Sequence, residues 1–195
     1  MGTVSYTIID DGSIELADAS TSMAASLVDG FAIAALGDSI VPILLDYLTP
    51  ANNDAKARHL AGNSARVLAY LEPATFIGSL LDLLHSKNKT SRSCAIYLLG
   101  CTRDPAAAVA LAAEFRNMSK DEVGRALTAL TNLGSPAAAG RAVALMDTAT
   151  DSSTRRQVMT YLAATAAQAV RNKVLANLIK EEDDGLLEYY IEYFE

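Results

Sequence analysis

The feature of this sequence that most constrains its fold is a helical motif that recurs at nearly constant spacing. Each copy has two adjacent apolar residues and a third one three positions further on, as in Leu44, Leu45 and Leu48. This spacing places all three side chains on one face of an α-helix. The motif occurs five times, and its closing residues follow one another at nearly equal intervals along the chain. The later copies are Leu80-Leu81-x-x-Leu84, Leu111-Ala112-x-x-Phe115, Ala142-Val143-x-x-Met146 and Val174-Leu175-x-x-Leu178.

A second helix, rich in Ala and Leu, is predicted before each copy. Three of these segments end in Leu-Gly, and glycine after the last apolar residue predicts a helix end with a left-handed residue. Glu72 and Ala163 stand at that place in the second and fifth units. Proline follows in three units, where a helix can begin without the missing N–H. The glycines are Gly37, Gly100 and Gly134, and the prolines are Pro73, Pro105 and Pro136.

Each unit is therefore a helical hairpin, with a helix A, a tight turn and a helix B. Neither helix can bury its apolar face alone, so successive hairpins must stack. The sequence predicts an all-α fold, an α-solenoid of about five hairpins over residues 17–180. An ordinary helical bundle is the alternative, but it does not explain the recurring register.

The segment LGDSIVPILLDYL, residues 36–48, resembles the turn and second helix of a HEAT repeat. It is most similar to the short variety of the repeat found in phycobilisome lyases. Arg92 and Arg155, each seven residues before the closing leucine, match the arginine of the repeat's helix A. Counted in the same way, the arginine is missing from unit two. The resemblance implies a fold used by scaffolds, adaptors, bilin-lyase subunits and one class of DNA glycosylases.

The two ends differ from the repeats within what we predict to be a single domain, 1–195. Apolar and polar residues alternate in residues 1–16, which favours a short N-terminal β-hairpin or an extended arm. Residues 181–195 begin with four acids and continue with Leu187, Tyr190, Ile191 and Phe194 on one helical stripe. This pattern predicts an acidic and aromatic capping helix. The alternative is a peptide that docks into a basic groove.

The 195 residues carry a net charge of −7, with 16 Lys and Arg against 23 Asp and Glu. All 16 bases lie in residues 55–180, so a basic middle separates two acidic ends. Two cysteines exclude a disulfide-stapled secreted scaffold. No apolar run is long enough to span a bilayer, and no basic start suggests a signal peptide. We therefore expect a cytoplasmic protein with no membrane association.

The sequence contains none of the common nucleotide-binding, hydrolase or zinc-protease motifs. His59 and His85 lie far from each other in the sequence, without a cluster of acids or thiols around them. Cys94 and Cys101 have a spacing that fits neither a disulfide on one helix nor a zinc site, and we expect both thiols to be buried. We therefore expect that the protein has no catalytic residue, binds no metal or cofactor and has no enzymatic activity.

Partner binding is the remaining function, because HEAT-like solenoids typically present their second helices on a concave surface. The face of each helix B opposite the apolar motif is acidic at first, small in the middle and basic at the end. A non-catalytic module is predicted: an adaptor, scaffold or immunity-type inhibitor that holds a protein or peptide. The alternatives are a nucleic-acid binder that uses the basic middle, and a bilin lyase or chaperone-like subunit. The predicted contact residues are Asp46, Ser79, Asp82, Ala110, Ala113, Arg141 and Lys173.

Overall fold

The structure is a computed structural model that describes residues 6–8, 14–16, 37–52, 54–149 and 151–195. Two short strands, β1 (Tyr6–Ile8) and β2 (Ile14–Leu16), pair antiparallel with Thr7 opposite Glu15. The residues that would connect these strands lie outside the described residues, so the N-terminal hairpin as a whole stays a prediction. The predicted first helix A, which precedes Gly37, also lies outside them.

From Gly37 onward the described chain is helical, which confirms the all-α class for this part of the protein. Short 3-10 segments precede four of the helices and follow a fifth; they are Gly37–Ile40, Pro73–Thr75, Phe115–Asn117, Pro136–Ala138 and Gln168–Val170. The α-helices are α1 (Val41–Tyr47), α2 (Ala55–Leu68), α3 (Ile77–Leu84), α4 (Lys89–Leu99), α5 (Pro105–Glu114), α6 (Lys120–Asn132), α7 (Ala139–Met146), α8 (Ser152–Ala164), α9 (Arg171–Leu178) and α10 (Asp184–Phe194).

The residue that caps the N-terminus of each even-numbered helix defines the repeat most clearly. Asp54 Oδ1 accepts a hydrogen bond from the Ala57 N–H at 2.8 Å, and Asp151 Oδ1 accepts one from the Thr154 N–H at 2.9 Å. Such caps satisfy N–H groups that have no partner within the helix. The capping residues recur at nearly constant intervals along the chain, and they are Asp54, Asn88, Ser119, Asp151 and Asp183.

Helices pack mainly against their near neighbours in the chain. Each of α2, α4, α6 and α8 contacts the next even-numbered helix, and α3 contacts α5 as α7 contacts α9. The odd-numbered helices α1, α3 and α7 also pack closely on the even-numbered helix that follows each of them. The buried apolar residues form one continuous cluster between these helices. The predicted apolar motifs of α1, α3, α5 and α7 contribute to it, as does Val174 of α9.

The C-terminal helix α10 has the register of a further helix A. Its Tyr193 hydroxyl donates a hydrogen bond to the Ala167 carbonyl at 2.8 Å. The Tyr161 hydroxyl of α8 donates to the Ser135 carbonyl at 2.9 Å, so the same bond recurs one repeat earlier in the chain. Both tyrosine side chains are buried. Helix α10 packs against α8 as a capping helix would, but the stripe predicted from the sequence is wrong in part. The buried residues of α10 are Leu186, Tyr190 and Tyr193, whereas Leu187 and Phe194 are half-buried and Ile191 is exposed.

The left-handed conformation predicted for the three glycines is confirmed for Gly37 and Gly134 and wrong for Gly100. Gly37 and Gly134 have φ of 65° and 60°, in the left-handed region that glycine favours. Gly100 instead ends α4 with φ −65°, and the left-handed residue in this turn is Arg103 with φ 56°. A Cβ at Gly100 would lie 2.6 Å from the Cβ of Ala129. Close approach of α4 to α6, and not backbone conformation, therefore requires glycine here.

Three of the N-caps are followed by an arginine at the same distance. Arg92 and Arg155 lie four residues after the caps Asn88 and Asp151, and Arg58 lies four residues after the cap Asp54. An arginine therefore stands at this distance from the cap in unit two as well, although Arg58 is exposed whereas Arg92 and Arg155 are half-buried. Helix α2 has 14 residues and α4 only 11, so an arginine at the same distance from the cap lies further from the end of α2. Spacing measured from the closing leucine therefore does not find it.

Candidate functional site

The predicted contact residues lie on the odd-numbered helices, opposite the side chains that these helices bury. Asp46 on α1, Ser79 and Asp82 on α3, and Lys173 on α9 are exposed. On α5 and α7, Ala113 is exposed, and Ala110 and Arg141 are half-buried. We call this set of seven residues, together with Val109, the B-helix strip. Its charge runs from acidic on α1 and α3 to basic on α7 and α9.

The structure brings two of the predicted residues into direct contact. Arg141 Nη1 on α7 donates a hydrogen bond to the Ala113 carbonyl near the end of α5, at 3.2 Å. A cation there interacts favourably with the negative end of the α5 dipole. Between the other predicted residues, the described part of the chain shows no hydrogen bond. The strip is therefore held by the packing of its helices and not by a side-chain network.

Sequence reasoning missed Val109, the most exposed large apolar residue of the strip. Its side chain is 66% exposed on α5, next to Ala110 and one helical turn from Ala113. The equivalent positions of α3 and α7 are Gly78 and Gly140, where an added Cβ would meet open space. Val109 therefore projects from the middle of the strip between two positions that have no side chain. Aligning the position just before Ala110 across the units would have found it.

A cleft of about 350 Å³ lies beside the strip, between the turn after α3 and the turn after α5. In it Arg92 donates from Nε to Glu122 Oε1 at 2.8 Å and from Nη1 to the Ser86 carbonyl at 2.7 Å. His85 Nδ1 lies 3.6 Å from Glu114 Oε1.

Glu122 is the buried acid of this cleft, with 1% of its side chain exposed. Burial disfavours its charge, but hydrogen bonds from the Ser119 hydroxyl and N–H, and from Arg92, outweigh burial and hold the pKa of the carboxyl below its ordinary value. Because these charged groups already bind one another, the cleft mainly joins successive units.

The two thiols differ from each other. Burial raises the pKa of the Cys94 thiol to about 11, so it stays protonated at neutral pH. Cys101 is exposed, and the expectation that both thiols are buried is wrong for this residue. Since α4 ends at Leu99, Cys101 lies in the following turn, where its thiol interacts with the Tyr97 hydroxyl. Within the described ranges, no group of three or more His, Cys, Asp and Glu could hold a metal ion.

Comparison with models of known protein families finds no match, and comparison with curated proteins finds none either. What the structure itself defines is the class, an all-α protein of closely packed short helices. Across the part of the chain that the structure describes, no helix is both long enough and apolar enough to cross a membrane.

Proposed function

We propose that the chain is an α-solenoid of HEAT-like helical hairpins and that it binds a protein or peptide along the B-helix strip. The near-constant interval between N-caps and the packing of each helix on its near neighbours support the solenoid. The proposed role is that of a non-catalytic adaptor, scaffold or inhibitor.

The single observation that carries this function is the arrangement of chemistry along the strip. Asp46 and Asp82 are exposed at one end, and Arg141 and Lys173 lie at the other. Between them Val109 stands among small residues, so a partner backbone can approach α5 closely. The charges orient the partner, and the exposed valine gives it an apolar anchor. The partner segment is therefore basic over α1 and α3, apolar over α5, and acidic over α7 and α9.

A library of displayed peptides selected on the purified full chain tests this proposal. We expect recovered peptides to have a basic end, an apolar centre and an acidic end. Reversing one end of the strip, by Asp46→Lys with Asp82→Lys or by Arg141→Glu with Lys173→Glu, should weaken binding about tenfold or more at low salt. Reversing both ends should select peptides of the opposite polarity. Thermal melting of each variant checks that it remains folded.

Two further variants separate the strip from the rest of the surface. Val109→Asn should lower the affinity for the recovered peptides by about tenfold, since it removes the apolar anchor. Arg125→Glu changes an exposed base on α6, away from the strip, and should leave binding unchanged. If no peptide binds at micromolar concentrations, or if Arg125→Glu weakens binding as much as the strip variants do, the proposal is wrong.

A further inference from the structure

The C-terminal end of the helical array exposes residues at positions that are buried inside it. The residue eight positions after the N-cap is buried in three successive even-numbered helices, as Ile96, Leu127 and Met159. At the same position of α10, Ile191 is 59% exposed. The position is thus buried in α4, α6 and α8, which each have a further helix packed on them, and exposed in α10; in α2 it is the half-buried Gly62.

The last odd-numbered helix shows the same change. Ala112 of α5 and Val143 of α7 are buried, and Leu45 and Leu81 at the same position are half-buried, whereas the equivalent Leu175 of α9 is 45% exposed. One turn further on, Ile179 is 78% exposed. The equivalent residues of the four earlier units are polar, so Ile179 is an apolar residue peculiar to this end; they are Thr49, His85, Arg116 and Asp147.

Leu175 and Ile191 therefore mark a stacking face that no further helix of the described chain covers, which we call the end face. Ile179, one turn beyond Leu175 at a position that is exposed in the earlier units as well, adds a third exposed apolar side chain to it. Repeat arrays need a polar outer face on the terminal unit. The Arg171 guanidinium lies over the Phe194 ring, 4.7 Å from its centre, and covers part of this face. The apolar side chains named above stay exposed. Large exposed apolar side chains grouped in this way mark interaction sites.

The charges around these apolar residues indicate what covers them. Helix α9 contains bases and no acid, and its exposed Arg171 is followed by the exposed Lys180. Helix α10 contains acids and no base, and its exposed Glu188 and Glu192 lie next to Ile191. The two helices pack side by side. The end face therefore has a basic half and an acidic half, with apolar residues on both.

We propose that the end face binds a second copy of this chain in a two-fold symmetric dimer. A two-fold rotation about an axis parallel to α9 and α10 places α9 of each copy over α10 of the other. The basic half then meets the acidic half twice, and the apolar side chains of the two copies meet between them. Self-complementarity of this kind is what an isologous interface requires. The surface is two short helices wide, at the small end of specific interfaces, so the dimer depends on protein concentration.

Sedimentation equilibrium over a range of protein concentrations tests the dimer. Wild type should convert from monomer to dimer as the concentration rises. Ile179→Asn and Ile191→Asn should each weaken association by about tenfold. Val109→Asn removes an equally exposed apolar side chain from the B-helix strip and should leave association unchanged. Since each substituted residue is exposed, melting temperatures should stay close to that of wild type.

Charge reversal tests the arrangement of the two copies. One variant carries Arg171→Glu and Lys180→Glu, and the other carries Glu188→Lys and Glu192→Lys. Each variant alone should be monomeric at concentrations where wild type is dimeric, because like charges then face each other. An equimolar mixture should form a heterodimer, in which both contacts again join opposite charges.

Three results would overturn the proposal: wild type that stays monomeric at every concentration, open-ended growth typical of head-to-tail association, or a mixture that fails to dimerise. The substitutions expected to weaken the dimer, at Ile179, Ile191 and the charged residues named above, lie outside the B-helix strip, so failure of the dimer and failure of the proposed function are distinguished.

Discussion

Gly100 shows how one missing side chain sets the distance between two helices. Its backbone is helical, so the conformational freedom of glycine is not needed there. Glycine is needed because of the space available. A Cβ at this position would lie 2.7 Å from the Cα of Ala129 and 2.6 Å from its Cβ. Non-bonded carbon atoms pack at about 3.5–4.0 Å, so α4 and α6 can pack at their observed distance only with glycine here.

Gly100→Ala is therefore expected to destabilise the protein by roughly 1–3 kcal/mol, because α4 and α6 must move apart. Gly62→Ala is the matched control. Gly62 lies inside α2, where an added Cβ meets nothing within 4 Å, so alanine should stabilise the helix by about 0.5–1 kcal/mol. Urea unfolding of both variants measures the difference. Equal effects of the two substitutions would contradict the packing explanation.

At the scale of the elements, successive even-numbered helices are joined through their first turns. Lys89 Nζ of α4 lies 2.9 Å from Asp121 of α6, and Lys120 Nζ of α6 lies 2.7 Å from Asp151, the cap of α8. These pairs are exposed and each contributes little. The stronger links are the partly buried pairs of Arg92 with Glu122 and of Arg155 with Glu181, in which each glutamate side chain is 1% exposed.

The Arg92 and Glu122 pair predicts how stability depends on pH. The pKa of Glu122 is lowered in the folded protein, so its contribution is present above the unfolded pKa of about 4.3 and lost as the pH falls through the folded value. Glu122→Gln should cost roughly 1–3 kcal/mol at neutral pH. Below about pH 4 the difference from wild type should shrink, because wild type becomes protonated as well.

Chemical denaturation at several pH values measures this dependence. Asp121→Asn, which removes the carboxylate of an exposed pair, is the control and should change stability little at any pH. If the cost of Glu122→Gln were the same at pH 3 and pH 7, the carboxylate charge would not be what joins α4 to α6.

At the scale of the whole molecule, the contacts are local along the chain. The substantial contacts between described helices join a helix to the next one or the next but one. In the proposed solenoid, stability is a sum of unit and nearest-neighbour terms, and regions unfold partly independently. A closed globule would unfold as one cooperative unit.

Leu162→Ala tests this difference. Leu162 is fully buried in α8, and its truncation should cost about 2–5 kcal/mol. Native-state hydrogen exchange should then accelerate in α8, α9 and α10 and change much less in α2, which lies several repeats earlier in the chain. Acceleration of similar size in α2 and α10 would contradict the proposed solenoid.

Much of the fold could be predicted from the sequence, because local patterns determine it. The i, i+1, i+4 motifs locate α1, α3, α5, α7 and α9, and Pro73, Pro105 and Pro136 each begin a helical segment. Less could be predicted where a residue's role depends on a neighbouring helix. Arg58 was missed because helix lengths differ between units, and Gly100 was misread because the contact that requires it comes from Ala129 of α6.

The seven predicted residues of the strip could be assigned to one face from helical periodicity alone, and their binding role stays a prediction. Val109 was missed because its prominence depends on the space left by Gly78 and Gly140 in other units. The hydrogen bond from Arg141 to the Ala113 carbonyl was also beyond the sequence, because it joins residues 28 positions apart on different helices.

The sequence by itself determined which segments form helices and which face of each is apolar, because helical periodicity, caps and prolines act within a few residues. Only the tertiary structure decided which of those apolar faces are covered. Met159 and Ile191 occupy the same repeat position, and one is buried while the other is exposed. Burial depends on whether another helix packs on the face, and that is a property of the assembled array and not of the local sequence.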